Sequence, residues 1–205
     1  MSDSYKTLEK EAFDEYVVKR SRFIGYATPV TTEREALDFI ERISKKHWDA
    51  KHNVYAYSLR EGGIKRYSDD GEPQGTAGMP VLNVLLQEDI TDCAVVVTRY
   101  FGGILLGGGG LVRAYSHTAK LGVDAAKIIT LSKRTVCKIN CDYTYYGKIE
   151  TLIRDSGGVI LDTVFEENVR IEYRIDKGTE DAFSEKLRDL TNGKKAFEII
   201  GEVIA

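Results

Sequence analysis

The segment 92–127 constrains the fold of this chain most, because its pattern is that of a strand, a glycine-rich loop and a helix in direct succession. Residues 94–97 are apolar and mostly β-branched, which is typical of a short buried strand. Two glycines then interrupt the strand, and four more follow consecutively at 107–110. Apolar residues recur at helical spacing from Leu111 onward, so the sequence predicts a helix that begins at about Gly110.

The same segment favours contact with an anion, since no acidic residue occurs between Asp92 and Asp124. Glycines let a partner approach the bare backbone, and exposed amides at a helix start carry partial positive charge. The candidate residues for binding an anion or a nucleic acid are Arg99, Gly107, Gly108, Gly109, Gly110, Arg113, His117 and Lys120. The alternative is that the glycines only allow a tight turn, while Arg113 and Lys120 form a solvated helix face.

The glycine loop matches neither of the two common nucleotide-binding motifs. It lacks the GxxxxGK[ST] pattern of a phosphate-binding P-loop. It also lacks a clean GxGxxG pattern, and no acidic residue follows at the distance expected for a dinucleotide site.

Composition predicts a cytoplasmic chain that does not enter a membrane. The net charge of −3 gives no general attraction to nucleic acid or to an anionic membrane. Three scattered cysteines favour buried free thiols in a reducing compartment over a disulfide framework. The polar, acidic N-terminus does not resemble a signal peptide, and no apolar run approaches the ~20 residues of a membrane span.

The N-terminal part predicts two strands, 11–21 and 22–30, followed by a helix. Thr31 or Thr32 caps that helix, and Glu35 follows Thr32 at the spacing of a capping box. The junction between the strands carries three basic residues, for which a solvated turn is the favoured interpretation: Lys19, Arg20 and Arg22.

A hairpin is predicted next, with strands at 53–60 and 64–67 joined through two glycines. His47 and His52 precede it. Because they are five residues apart and no third ligand candidate is near, we assign no metal site to them and expect His52 to pack at the start of the strand.

An acidic loop follows the hairpin and contains Asp69, Asp70 and Glu72. Three carboxylates in four residues could bind a hard cation, or one of them could act as a general base. The alternative is a turn, which Asp-Gly favours and after which Pro73 prevents a strand. An apolar helix is predicted beyond it, with Pro80 in its first turn.

A change of pattern near residue 133 divides the chain into two predicted domains, 1–133 and 134–205. From about Thr135 the elements are expected in the order β-α-β-β-α-β, the split arrangement of ferredoxin-like domains. The fold class is therefore α+β with two domains. The first predicted domain has a net charge of zero and the second of −3, so any contact with nucleic acid must be local.

Four segments of the first predicted domain carry a resemblance to a known family. They are KRSRFIGYA at 19–27, HNVYAY at 52–57, RYSDDGEPQGTAGMP at 66–80 and VVVTRYFGGILLGGGGLVRAY at 95–115. Together they resemble the signature of the IMPACT/YigZ family. The second predicted domain resembles the small domain that bacterial members of this family append.

This resemblance implies both a fold and a field of function. It implies a first domain like domain 2 of ribosomal protein S-five and domain IV of elongation factor G. It implies a ferredoxin-like second domain like domain V of elongation factor G. Eukaryotic relatives are known as translation regulators that act through protein contacts in the amino-acid-starvation kinase pathway, and they carry a different N-terminal domain.

Two classes of function remain open from the sequence. The first is a non-enzymatic, translation-associated protein that contacts RNA, the ribosome or a protein partner through the glycine-rich, locally basic surface. The second is a small hydrolase or phosphate-ligand enzyme, in which the acidic loop 69–72 supplies a base or a metal ligand and the glycine loop an anion hole. No nucleophile has a paired base at a recognisable spacing, so the first is preferred, and no cofactor is expected.

Overall fold

The computed structural model describes residues 4–205, which form two compact units. The larger unit is Tyr5–Thr130 and the smaller is Leu131–Ala205 together with Ser4. Among the described residues, no helix combines the length and the apolar composition needed to cross a bilayer.

The larger unit is built on an antiparallel sheet of five strands. They are β2 (Ala12–Val18), β3 (Ser21–Pro29), β4 (His52–Ser58), β5 (Lys65–Ser68) and β6 (Cys93–Tyr100), in the spatial order β2-β3-β6-β4-β5. The strands and the hairpin predicted from the sequence are thus confirmed. One strand was not predicted from the sequence. It is β1 (Ser4–Leu8), which precedes these five and is not part of their sheet, and its mostly polar composition explains why it was missed.

Three α-helices cover this sheet: α1 (Glu33–Lys46), α2 (Gly78–Gln87) and α3 (Gly108–Ala126). The predicted capping box of α1 is confirmed, because the Glu35 amide donates to Thr32 Oγ1 at 3.2 Å and the Thr32 amide donates to the Glu35 carboxylate at 3.4 Å. Pro80 lies in the first turn of α2, as expected from its missing N–H.

The central strand β6 is buried on both faces, which explains its uninterrupted apolar run. Val95 and Val97 pack in the core under α2 and α3, whereas Ala94 and Val96 pack in the core under α1. Burial of apolar surface is the dominant favourable contribution to folding, and β6 adds to it on both of its faces. The helices therefore lie in two layers, with α2 and α3 on one face of the sheet and α1 on the other.

Two glycines allow α3 to lie directly on β3. A Cβ on Gly25 of β3 would come within 2.3 Å of the Thr118 carbonyl oxygen, and a Cβ on Gly122 of α3 within 2.5 Å of the Gly25 carbonyl oxygen. Backbone therefore packs against backbone at this crossing. The contact fixes the direction of α3 and hence the place where its N-terminus emerges.

One turn and three loops meet at one end of this sheet, because β6 runs antiparallel to both of its neighbours. Tyr100 pairs with Arg22 and Arg99 pairs with His52, so the end of β6 lies beside the starts of β3 and β4. The segments that meet here are the turn 19–20 and the loops 47–51, 69–77 and 101–107. We call this the loop end of the sheet.

The smaller unit confirms the predicted order β-α-β-β-α-β. Its elements are β7 (Ile128–Cys141), α4 (Tyr143–Asp155), β8 (Val159–Phe165), β9 (Val169–Asp176), α5 (Glu180–Thr191) and β10 (Phe197–Ile204). The strands are antiparallel in the order β10-β7-β9-β8. Side chains of the sheet and of α4 and α5 form one hydrophobic core. The three cysteines are buried and free, as expected.

Candidate functional site

The N-terminus of α3 lies at the loop end and has no side-chain cap. Gly107 occupies the cap position with φ 73°, a left-handed value that favours glycine, and the helix begins at Gly108, two residues before the predicted start. The Leu111 amide donates back to the Gly107 carbonyl at 2.9 Å. The amides of Gly108, Gly109 and Gly110 precede this bond and are the unpaired donors of a helix start.

Packing does not require glycine at the first two helical positions. A Cβ on Gly109 would have no heavy atom within 4 Å, and a Cβ on Gly108 would lie 3.9 Å from Thr76 Cγ2. Neither residue has a positive φ. Glycine in a helix costs stability relative to alanine, so the bare backbone at these positions calls for an explanation other than packing.

A groove of about 520 Å³ runs beside the start of α3. Its lining residues are Tyr16, Val18, Lys19, Leu106, Gly110, Arg113, Ala114 and His117. We call it the basic groove. It joins three residues of the predicted site, Gly110, Arg113 and His117, to Lys19 and Tyr16, which the sequence analysis did not assign to a site. The His117 and Tyr16 rings pack edge to face with centroids 4.6 Å apart.

The turn between β2 and β3 has an unusual backbone that presents two cations. Lys19 and Arg20 have φ 45° and 65°, and both are exposed. The left-handed region costs about 1–2 kcal/mol for a residue with a side chain, and Asn or Gly usually fills such turns. A basic pair in a two-residue hairpin turn was therefore a sequence signal for a binding site, which the interpretation as a solvated turn overlooked.

The same turn is locked to the glycine loop. The Gly102 amide donates to Ser21 Oγ at 3.1 Å, and a Cβ on Gly102 would come within 2.0 Å of the Arg20 carbonyl carbon. Only glycine fits so close an approach. The cations of the turn and the start of α3 are thus held together by the chain itself.

The cations of this surface divide into paired and unpaired groups. Among residues 4–205, Lys19, Arg20 and Arg113 take part in no ion pair. Lys120, in contrast, lies 3.2 Å from a Glu88 oxygen and also contacts Asp124, whose hydrogen bond raises the pKa of Lys120. The charge of Lys120 is therefore already balanced within the chain.

Arg99 also differs from the sequence-based picture of an acid-free surface. It is buried, and its Nη1 donates to Glu72 Oε1, which also accepts from Tyr115 Oη at 2.8 Å. Burial, and then the Glu72 charge, raise the pKa of the Tyr115 hydroxyl far above its usual range. The segment between Asp92 and Asp124 has no acidic residue, but Glu72 from the acidic loop contacts Arg99 in the folded chain and balances its charge.

The other two carboxylates of the acidic loop bind backbone amides. Asp69 caps α2, because its Oδ1 accepts from the Ala77 and Gly78 amides at 3.0 and 2.8 Å. Asp70 Oδ2 accepts from the Asn53 amide at 2.5 Å. The turn interpretation thus accounts for both side chains. In the part of the chain that the structure describes, no group of three or more His, Cys, Asp or Glu residues could hold a metal ion.

Comparison with protein families identifies both units. Residues 19–123 match the Impact N-terminal domain, and residues 139–194 match a domain of unknown function named DUF1949. The basic groove draws Lys19, Gly110, Arg113 and His117 from the first matched range.

Individual relatives support the same assignment. The IMPACT family member YvyE of Bacillus subtilis is 42% identical over 95% of this chain and 90% of its own length. The IMPACT family member YigZ of Escherichia coli is 33% identical over 86% of this chain and 88% of its own length. Protein IMPACT of Xenopus laevis is 36% identical, but over only 43% of this chain and 30% of its own length.

A solved structure extends the similarity to the fold. A crystal structure described as that of a hypothetical protein covers 98% of this chain and 99% of its own, with a TM-score of 0.62 and 29% identity. The match thus includes both units. The chain therefore belongs to the IMPACT family, and its two matched domains make it a member of the bacterial type to which YvyE and YigZ belong.

Proposed function

We propose that this protein is a translation-associated regulator without enzymatic activity, which acts in the cytoplasm and contacts RNA, alone or in the ribosome, through the basic groove. The observation that carries the proposal is the combination of unpaired cations with an uncapped, bare helix start in one groove. Phosphate oxygens accept hydrogen bonds both from such side chains and from helix N-terminal amides.

The charge distribution supports a local, electrostatic contact. The chain has a net charge of −3, so its attraction to RNA depends on the groove and on the adjacent turn. If Lys19, Arg20 and Arg113 each neutralise one phosphate of a single strand, log affinity falls with log salt at a slope of about −2. The Tyr16 and His117 rings offer faces on which a base can stack.

The family supports the field of function. The resemblance implies domains like those of ribosomal protein S-five and elongation factor G, two proteins of translation. Eukaryotic relatives are known as translation regulators that act through protein contacts. A protein partner in translation control is therefore the alternative to RNA that the experiment below must distinguish.

The same geometry gives less support to a hydrolase. Asp69 and Asp70 are engaged by backbone amides. The pKa of the Cys93 thiol is raised to about 12 and that of Cys137 to about 11, in both cases first by burial, so neither is an activated nucleophile at neutral pH.

The experiment is co-sedimentation with ribosomes and anisotropy titration of a single-stranded RNA across a salt series. We expect Arg113→Glu to weaken binding and to reduce the salt slope by about 0.7, because one phosphate contact to a single strand is lost. Lys65→Glu is the matched control, since Lys65 is exposed at the opposite end of the sheet, where its strand pairs with Ser58. No binding at low salt, or an unchanged slope in Arg113→Glu, would overturn the proposal, and a ribosome-independent protein partner would become the better account.

A further inference from the structure

A second cavity, of about 220 Å³, opens at the loop end and shares no lining residue with the basic groove. It is lined by Lys51, His52, Glu72, Arg99, Phe101 and Leu105. We call it the Arg99 pocket. At about 30 Å³ for each molecule of liquid water, its volume corresponds to about seven waters, which suits a small metabolite and not a polymer.

The Arg99 side chain has unused hydrogen-bonding capacity. Arg99 is 5% exposed, and its single hydrogen bond among the described side chains goes from Nη1 to Glu72 Oε1. Its Nε is buried and has no partner. A buried donor without a partner destabilises the folded state, so native proteins rarely leave one unless a ligand or water completes it.

Two aromatic rings hold this guanidinium in place. The Cζ of Arg99 lies 5.4 Å from the ring centroid of Phe23 and 5.4 Å from that of Phe101. Such contacts attract the cation and restrict its plane. A guanidinium fixed in this way is organised in advance for the planar recognition of a carboxylate or phosphate group.

His52 adds an oriented imidazole to the pocket. Its Nδ1 lies 2.6 Å from the Asp70 carbonyl oxygen, which can only accept, so Nδ1 carries the proton. Its Nε2 lies 3.7 Å from Glu72 Oε1, which is beyond hydrogen-bonding distance. With the proton on Nδ1, the Nε2 atom is an acceptor in the lining, which can bind a donor group on the body of a ligand.

The lining has an excess of positive charge and an apolar rim. Lys51 and Arg99 face a single carboxylate, that of Glu72. Phe101 and Leu105 are 46% and 81% exposed, which leaves apolar surface for a ligand to cover. We propose that the Arg99 pocket binds a small organic anion, with its carboxylate or phosphate group on Arg99 and Lys51 and its apolar or aromatic body against Phe101 and Leu105.

This site goes beyond the proposed function, since it needs no RNA and uses none of the residues of the basic groove. The probes are phenylacetate and phenyl phosphate, with phenylacetamide as the neutral analogue and inorganic phosphate as the anion without a body. Calorimetry gives the affinities, and amide chemical shifts of the ¹⁵N-labelled full chain give the location. The two anionic probes distinguish a carboxylate from a phosphate ligand.

We expect one of the anions to bind at least about tenfold more tightly than phenylacetamide, because a charge-assisted hydrogen bond contributes about 1.5–3 kcal/mol. Amide shifts should cluster at 51–52, 72 and 99–105. The exposed rim variant Lys51→Glu should weaken binding by about tenfold or more without unfolding the chain, whereas Lys65→Glu should bind as the wild type does. Arg113→Glu should lose RNA and keep the probe.

Four results would overturn the assignment, of which the first three concern specificity and location. They are equal binding of phenylacetamide and the anions, equal effects of Lys51→Glu and Lys65→Glu, and shifts confined to 108–117, which would put the anion in the basic groove. Absence of binding by both anionic probes at millimolar concentration would overturn it too. Failure of RNA binding in the wild type leaves these readouts intact, so the two proposals fail separately.

Discussion

Replacing Gly109 by alanine separates the stability of α3 from its function. A Cβ at this position meets no heavy atom within 4 Å, and the residue has no positive φ, so alanine fits without strain. Glycine costs backbone entropy that alanine does not, and the substitution should raise the free energy of unfolding by about 0.5–1 kcal/mol. For a unit of this size the melting temperature rises by roughly 2–5 °C.

The same methyl group should weaken RNA binding. It would stand on the bare helix start, where the proposed phosphate approaches the amides of 108–110. Loss of one charge-assisted hydrogen bond corresponds to about tenfold weaker binding. The assay is thermal unfolding of the variant together with anisotropy titration of a single-stranded RNA at one salt concentration.

Gly147→Ala in α4 is the matched control. Gly147 is also helical and exposed, and a Cβ there would also have no heavy atom within 4 Å. Its substitution should stabilise the smaller unit to a similar extent and leave RNA affinity unchanged. A Gly109→Ala variant that is more stable and binds RNA as well as the wild type would refute the idea that the glycines serve a phosphate contact.

Three further substitutions test other parts of the account. Asp69→Ala should lower the unfolding free energy by about 2 kcal/mol in urea titrations, because α2 loses its cap; a change near zero would contradict the turn interpretation. Arg20→Gly should stabilise the larger unit by about 1 kcal/mol, since φ 65° is relieved, and should weaken RNA binding; lower stability would argue against strain in the turn. Burial, and then Lys46, lower the pKa of His47, so the unfolded chain binds its proton first. The stability that neutral His47 contributes is complete above the unfolded pKa of about 6.5 and is lost as pH falls from there through the lower pKa of the folded state. His47→Gln should flatten this dependence of the unfolding free energy on pH in denaturation series at several pH values.

Local patterns explain which parts of the fold were predictable. The strand and helix around the glycine loop follow from apolar spacing within 92–127, and the capping box of α1 spans four residues. The order of elements in the smaller unit follows from alternating periodicities in the same way. β1 was missed because its residues are mostly polar and its partner, β7, is more than a hundred positions away.

The candidate site shows where sequence patterns stop being informative. The acid-free segment predicted Gly110, Arg113 and His117 together, because they share one face of a helix. It could not reveal that Glu72 reaches Arg99 or that Glu88 reaches Lys120, since both contacts depend on tertiary packing. Lys19 enters the groove only through a turn whose conformation its residue types disfavour.

Amide chemical shifts of the ¹⁵N-labelled protein during titration with a short single-stranded RNA test the central claim most directly. The account predicts the largest shifts at Gly108, Gly109 and Gly110 and in the turn 19–20, with saturation that weakens as salt is added. Shifts that are absent, or that fall on residues outside the helix start 108–110, the basic groove and this turn, would contradict it.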